Sequence, residues 1–360
     1  MRLTRLIVRD VRNLEAIDWC PADGLNVLFG PNGGGKTSLL EAIHVAAVGR
    51  SFRTRDTRQL IRRGSSSFKV SAWFSHGDGR DQHVRVQRDS ESTQILVDDR
   101  LLRAASQLAR GFPVLALSQD GVTRFRTSRG ERRALVDWGL FHVEQEFHRI
   151  WSRYHTALAQ RNAALRRGQP SAPWMQVLIE DGEAITASRL AYLEHLQVQV
   201  DALCGRLDLD FSVSLSLHRG WREGDQLTEY WRAAEDRDRG VGYTTGGPHR
   251  ADLQVRVDRK LGLESLSSGQ VKLLYLVLRL AQLNNLLRAE PGTAPIVFFD
   301  DLAAELDGRH LDAVLRLFGD HPLQRFITSP STTVEPMMQH ASVFHVEHGV
   351  VSPAATPRFP

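Results

Sequence analysis

The feature that most restricts this chain is the run Gly30-Pro31-Asn32-Gly33-Gly34-Gly35-Lys36-Thr37, which satisfies G-x-x-x-x-G-K-[ST] at every specified position. Glycines at these positions let successive backbone N–H groups turn inward around a phosphate, and the positive end of a following helix faces the same anion. The flanks agree. Leu25-Asn26-Val27-Leu28-Phe29 is a short, nearly continuous apolar run, as a buried strand requires, and Thr37 to about Val48 reads as a helix. In this pattern Lys36 reaches the β and γ phosphates and the Thr37 hydroxyl reaches Mg²⁺, with Ser38 beside it. A glycine-rich structural turn is the competing reading, and the strand before and helix after argue against it.

A second segment, Pro295-Ile296-Val297-Phe298-Phe299-Asp300-Asp301, reads as a buried strand that delivers two carboxylates at its end. In ATPases with such a loop this strand is expected beside the first, with Asp300 on the metal side. Asp301 then orients or deprotonates the attacking water. From the acids alone, a solvated strand end reads equally well. Leu266-Ser267-Ser268-Gly269-Gln270 precedes a helix-length apolar run, so it offers N–H groups and a serine hydroxyl to an anion. A simple helix N-cap uses the same residues. Ser118-Gln119-Asp120 follows the apolar run Val114 to Leu117, and Gln119 is either a contact to Mg²⁺ and water or a plain loop residue.

Around these motifs the chain changes character. Up to about residue 120 it reads mostly as strands: Leu3 to Val8 is apolar and β-branched, and Phe68, Val70, Ala72 and Phe74 alternate before a Gly77-Asp78-Gly79 turn. From 121 to 240 the period becomes mainly helical, with Phe147, Ile150, Trp151, Tyr154 and Leu158 on one stripe and a break at Gln169-Pro170-Ser171-Ala172-Pro173. Residues 241–360 carry the signature and the aspartate pair. The plan is one lobe in two halves, 1–120 and 241–360, around a helical insert at 121–240. Two cysteines, Cys20 and Cys204, exclude a disulfide framework and a cysteine metal site. With no run of 18 apolar residues there is no sign of a membrane span, and the chain is expected in the cytoplasm.

Taken together, the phosphate loop near the start, the long insertion, the signature, the aspartate pair and Ala303-Ala304-Glu305-Leu306-Asp307 resemble the ATPase heads of the ABC and SMC/Rad50 superfamily. Within it, the match is closest to the RecF family. Val11-Arg12-Asn13, Gly49-Arg50-Ser51-Phe52-Arg53-Thr54, Arg132-Arg133 before Asp137, and Gly247-Pro248-His249-Arg250 before Asp252 carry that closer likeness, which spans essentially the whole chain. The resemblance implies an α/β fold, a Rad50-like P-loop ATPase head with a mixed sheet and an inserted helical lever-arm domain. It implies ATP and Mg²⁺ as cofactors, and two subunits closing head to head on ATP. In that arrangement Ser267, Gly269 and Gln270 of one subunit cap the γ-phosphate held by the other, and Asp307 crosses the interface. It further implies weak, DNA-dependent hydrolysis through Asp301, binding to gapped DNA and single-strand junctions, loading of RecA together with RecO and RecR, and support of the SOS response. Ser268 departs from the glycine usual in ABC signatures, and Phe326-Ile327-Thr328-Ser329 lacks the histidine that ABC transporters use to sense the γ-phosphate.

Basic residues suggest where DNA touches. Of 46 cationic residues only Lys36, Lys69, Lys260 and Lys272 are lysine, leaving 42 arginines, a bias that a GC-rich genome also explains. Arg50, Arg53, Arg55, Arg58, Arg62 and Arg63 fall close together, opposed locally only by Asp56, and form the candidate DNA-binding surface. A second group, Arg124, Arg126, Arg129, Arg132 and Arg133, opens the insert, where Arg132 and Arg133 are expected to support it through its acids. Solvated faces account for many such clusters. Two other functions compete with a DNA-repair ATPase. A transporter's nucleotide-binding subunit is disfavoured by the insert and the missing histidine, and a small-molecule P-loop kinase by the signature.

Overall fold

The computed structural model describes the chain apart from Arg55, Arg103, Asp210, Arg259, Ser265 and residues 302–307, 331–340 and 355–360. Two compact units form: Met1–Val122 with Glu290–Pro360, and Thr123–Ala289. The second unit thus runs past residue 240, and the signature helix belongs to it rather than to the unit that carries the phosphate loop.

In the first unit, the early elements are β1 (Arg2–Val11), β2 (Leu14–Trp19), β3 (Leu25–Phe29), α1 (Lys36–Val48), β4 (Phe68–Ser75), β5 (Asp81–Arg88), β6 (Thr93–Val97), β7 (Arg100–Leu101), α2 (Ala105–Gly111) and β8 (Val114–Ser118). Helix α3 (Gln119–Thr127) leads out of this unit. The second unit holds α4 (Arg129–Val143), α5 (Phe147–Arg166), α6 (Met175–Arg206), β9 (Val213–His218), α7 (Leu227–Val241), β10 (Asp252–Val257), β11 (Lys260–Leu261) and α8 (Ser268–Ala289). The chain then returns to the first unit with β12 (Ile296–Asp300), α9 (Gly308–Gly319), β13 (Arg325–Ser329), β14 (Ala341–Glu347) and β15 (Val350–Pro353).

Two sheets enclose α1. One is antiparallel in the order β2-β1-β4-β5-β6-β7, the meander read from alternation at 68–86. The other is mixed, in the order β15-β14-β3-β13-β12-β8, with β14, β3, β13, β12 and β8 parallel. Helix α1 is buried along nearly its whole length, Leu39, Leu40, Ile43, Val45 and Ala46 included, because it packs on a sheet on either side. A helix apolar all round is what such a position selects. In the second unit α6 is the central element; Leu178, Ile185, Leu193, Leu196 and Val200 are buried along it. The stripe from Phe147 is there in α5, which stops before the proline-containing break, and α6 starts after it. No helix among the described residues is long and apolar enough to cross a membrane.

The order of strands corrects one expectation. Strand β12, with its two aspartates, does not lie beside β3: β13 is paired in parallel with both and separates them. Phe326 and Thr328 are buried there, so β13 is a fully enclosed sheet strand, and its side chains lie between the phosphate loop and the carboxylates.

Candidate functional site

The phosphate loop leaves the carboxyl end of β3 and turns directly into α1. Gly30 has φ 148°, and a Cβ there would stand 2.2 Å from the carbonyl oxygen of Val346 on β14, so only glycine lets the loop lie against that strand. At Gly33, with φ 79°, a Cβ would meet nothing within 4 Å; here it is the left-handed backbone that demands glycine. Gly35 is the N-cap residue of α1 and no side chain caps the helix, so the first-turn N–H groups face the loop. Lys36 is buried, and its Nζ donates to the carbonyls of Gly30 at 2.7 Å and Pro31 at 3.0 Å. Burial pulls its pKa below the ordinary lysine value, opposed by the charges of Asp301 and Asp300. Pro31 and Asn32 are exposed at the loop's tip, while the Ser38 hydroxyl donates to Asn13 Oδ1 at 2.7 Å.

Across from Lys36, the Thr37 hydroxyl donates to Asp300 Oδ1 at 2.9 Å. Thr328, at the end of β13, donates to the same oxygen at 2.9 Å and accepts the Asp301 N–H at 2.9 Å. This threonine, in the segment notable for lacking a histidine, bridges the two aspartates; no sequence pattern singles it out. Asp300 is 6% exposed, and burial raises its pKa while the hydroxyls of Thr37 and Thr328 oppose the rise. Asp301 is exposed and has φ 52°, a left-handed backbone uncommon outside glycine. Ser118 is the register partner of Asp300 in β8, which sets Gln119 one residue beyond it at the start of α3.

These residues fit a nucleotide with its metal. The donor set of hydroxyl and carboxylate oxygen is the hard-oxygen kind Mg²⁺ takes, with few protein ligands and the rest supplied by water and phosphate. The carboxylate that would serve it is already held on two hydroxyls, one of them from the loop itself.

The signature lies in the second unit and forms a capping box. Ser267 N–H donates to Gln270 Oε1 at 3.0 Å, and Gln270 N–H donates to Ser267 Oγ at 3.2 Å. The helix N-cap that the sequence offers is therefore present. The acceptors close the cap, while the Ser267 hydroxyl proton and the Gln270 amide protons are not used by it. Gly269 lies inside the first turn of α8. Asp307 falls outside the described residues.

The arginine cluster is less cationic than its sequence suggests. Arg58 forms a fork on Asp56 at 2.9 and 3.0 Å, and Arg62 reaches Asp10 at 2.7 Å and Glu15 at 3.5 Å. Arg53 lies 3.8 Å from Glu41, a carboxylate fully buried on α1 that Arg12 holds in a fork and Ser51 also contacts. Acids from distant segments thus oppose the run as well as Asp56. Arg50 and Arg63 are exposed, and Arg55 lies outside the described residues. In the second group Arg132 forks onto Asp252 at 2.8 Å, whereas Arg133 donates to the carbonyl of Ala251 and not to an acid.

The model of the RecF/RecN/SMC N-terminal domain matches residues 2–352. Relatives named DNA replication and repair protein RecF include one from Thioalkalivibrio sulfidiphilus, 36% identical and covering 98% of this chain and 99% of its own. Another, from Stutzerimonas stutzeri, is 38% identical over 98% of this chain and 97% of its own. The chain belongs to the RecF family. Among solved structures, the recombination mediator protein RecF with ATP, of the RecFOR pathway, superposes with a TM-score of 0.87 at 22% identity, covering 98% of both chains. An SMC head bound to the C-terminal winged-helix domain of ScpA gives 0.61 at 16% identity, covering 99% of this chain and 98% of its own. The fold is accordingly the ABC-type ATPase head shared by RecF and SMC proteins.

Proposed function

We propose that this RecF-family chain is an ATP-dependent DNA-binding protein of recombinational gap repair and replication-fork maintenance, acting in the cytoplasm. It dimerises on ATP, binds gapped duplex and single-strand junctions, and helps load RecA together with RecO and RecR, supporting the SOS response. Its ATPase activity is weak and DNA-dependent, and it serves to release the dimer. The observation that carries the reading is the Thr37 hydroxyl 2.9 Å from a buried Asp300, beside Lys36 and an uncapped helix N-terminus.

Bound Mg²⁺-ATP supplies a γ-phosphate anion to which a second subunit can attach. Lys36 and the first-turn N–H groups of α1 neutralise phosphate oxygens; Thr37 and Asp300, with Gln119 nearby, hold the metal side. Asp301, exposed and adjacent, accepts the proton of the attacking water. From the opposite subunit, Ser267 and Gln270 donate the protons their capping box leaves unused, and Asp307 lies at the same junction. Exposed Arg50 and Arg63 meet the DNA backbone, and Arg53, Arg55, Arg58 and Arg62 belong to the same DNA-binding segment.

Light scattering with and without ATP, in the presence and absence of a gapped duplex, tests this. An ATP-induced doubling of mass with tighter DNA binding is the expected result. A chain that stays monomeric in ATP with unchanged DNA affinity overturns the proposal.

A further inference from the structure

The turn between β1 and β2 carries more structure than a connection needs. Asp10 and Arg12 adopt left-handed backbone, φ 55° and 56°, without being glycine, which costs free energy that the surroundings must offset. On one side this turn binds the basic segment. Arg12 N–H donates to Leu60 O at 2.7 Å, Arg62 N–H to Asp10 O at 2.8 Å, and Val11 bridges Ile61. Side chains add to the join: Arg12 Nη1 reaches Gln59 O at 2.8 Å, and Asp10 accepts from both Arg62 and Ser65.

On its other side the same turn grips the nucleotide loop. Asn13 Nδ2 donates to Gly33 O at 2.9 Å, and its Oδ1 accepts from Ser38 in the first turn of α1. One amide therefore spans the loop from its tip to the helix that follows. Arg12 meanwhile forks onto Glu41, one turn further along α1. Asn13 is exposed and contributes nothing to the core, so its two bonds are its role.

We propose that Asn13 is a positioning residue for the phosphate loop, and that the 10–13 turn energetically couples polyanion binding at 57–63 to nucleotide binding at 30–38. The inference rests on the nucleotide and DNA sites put forward above. Occupation of Arg62 and Arg63 by a phosphate backbone pulls Arg62 off Asp10, and the turn that Asp10 anchors is the one that sets the carbonyl of Gly33 and the register of Ser38. Coupling of this kind is reciprocal: DNA changes nucleotide affinity by the factor with which nucleotide changes DNA affinity.

The test measures the dissociation constant of a fluorescent ATP analogue for the full chain with and without saturating gapped duplex, in wild type, Asn13→Ala and Ser38→Ala. The wild type is expected to show a ratio of about 5 or more. In Asn13→Ala the ratio falls toward one, with the thermal midpoint close to wild type, and Ser38→Ala lies between. A merely structural role would alter both constants and leave their ratio alone, so an Asn13→Ala ratio equal to wild type overturns the inference. Should wild type fail to bind the analogue at all, the proposed function falls first; wild-type binding with a ratio of one refutes the coupling alone.

Discussion

Replacing Asp300 by asparagine should make the nucleotide-free protein more stable, against the usual sign for a buried polar substitution. The side chain is 6% exposed and accepts from two hydroxyls, Thr37 and Thr328, each at 2.9 Å. Burying a carboxylate costs several kcal/mol even after relaxation. Two hydrogen bonds to a charged acceptor return roughly 1.5–3 kcal/mol each, so a net penalty of about 1 kcal/mol remains in the absence of a cation. Asparagine keeps an acceptor oxygen and removes the charge. For a unit of this size about 1 kcal/mol corresponds to roughly 2–4 °C in thermal midpoint. The pH dependence fixes the cause. Burial raises the folded pKa of Asp300 above the ordinary aspartate value. Below the unfolded pKa the acid is protonated in both states and the variant gains nothing; as pH rises through the folded pKa the wild type alone acquires the penalty. The advantage of Asp300→Asn should therefore grow with pH and level off. Scanning fluorimetry in a metal chelator, from acid to neutral pH, reads this directly, and Mg²⁺-dependent nucleotide binding should weaken at the same time. A variant less stable than wild type at neutral pH, or a difference that does not vary with pH, refutes the reasoning.

Other perturbations separate roles that coincide in one residue. Gln270→Glu keeps the acceptor of the capping box and removes the amide donors, so it should preserve thermal stability but lose ATP-induced dimerisation in light scattering; Gln270→Ala should lose both, the stability by about 0.5–1.5 kcal/mol for the one hydrogen bond removed. Retained dimerisation in Gln270→Glu would exclude the amide as a donor across the interface. Arg50→Ala with Arg63→Ala should lower the slope of log affinity for DNA against log salt by up to about 0.9 per lost phosphate contact, and Arg58→Ala, already forked onto Asp56, by less. An unchanged slope in the double variant places DNA elsewhere. In the second unit Arg161 and Asp238 form a pair that is 1% and 0% exposed at 2.9 Å, with Thr244 on the same guanidinium. Arg161→Met should cost about 3–5 kcal/mol in denaturant unfolding, because it strands a buried carboxylate, and a loss under about 1 kcal/mol contradicts that account.

What could be read from the sequence is what is contiguous in it. Gly30 to Thr37 carries its own strand and helix context, and the alternation at 68–86 fixes a meander without reference to the rest. Thr328 is invisible for the opposite reason. Its bridging role depends on β13 lying between β3 and β12, and residues 325–329 read simply as a buried strand wherever they are placed. The arginine run misleads in the same way, since Asp10 and Glu15 come from a segment much earlier in the chain and Glu41 from the helix before the run. Ser267 and Gln270 support two readings in sequence because a capping box and a row of donors need the same side chains; the hydrogen bonds show that they are compatible.

The position of β3 has a consequence for how the protein is made. The strand pairs with β13 on one side and β14 on the other, so neither neighbour exists until residues 325–347 have been synthesised. Gln324 also closes onto the backbone of Leu3 and Ala22, tying the last stretch of chain to the first. The antiparallel sheet, by contrast, draws only on residues 2–101 and can assemble while the ribosome is still translating the helices. The emerging polypeptide thus carries its phosphate loop on an unsupported strand for most of its synthesis. A ribosome stalled before residue 325 leaves β3, and the phosphate loop that follows it, without either strand neighbour.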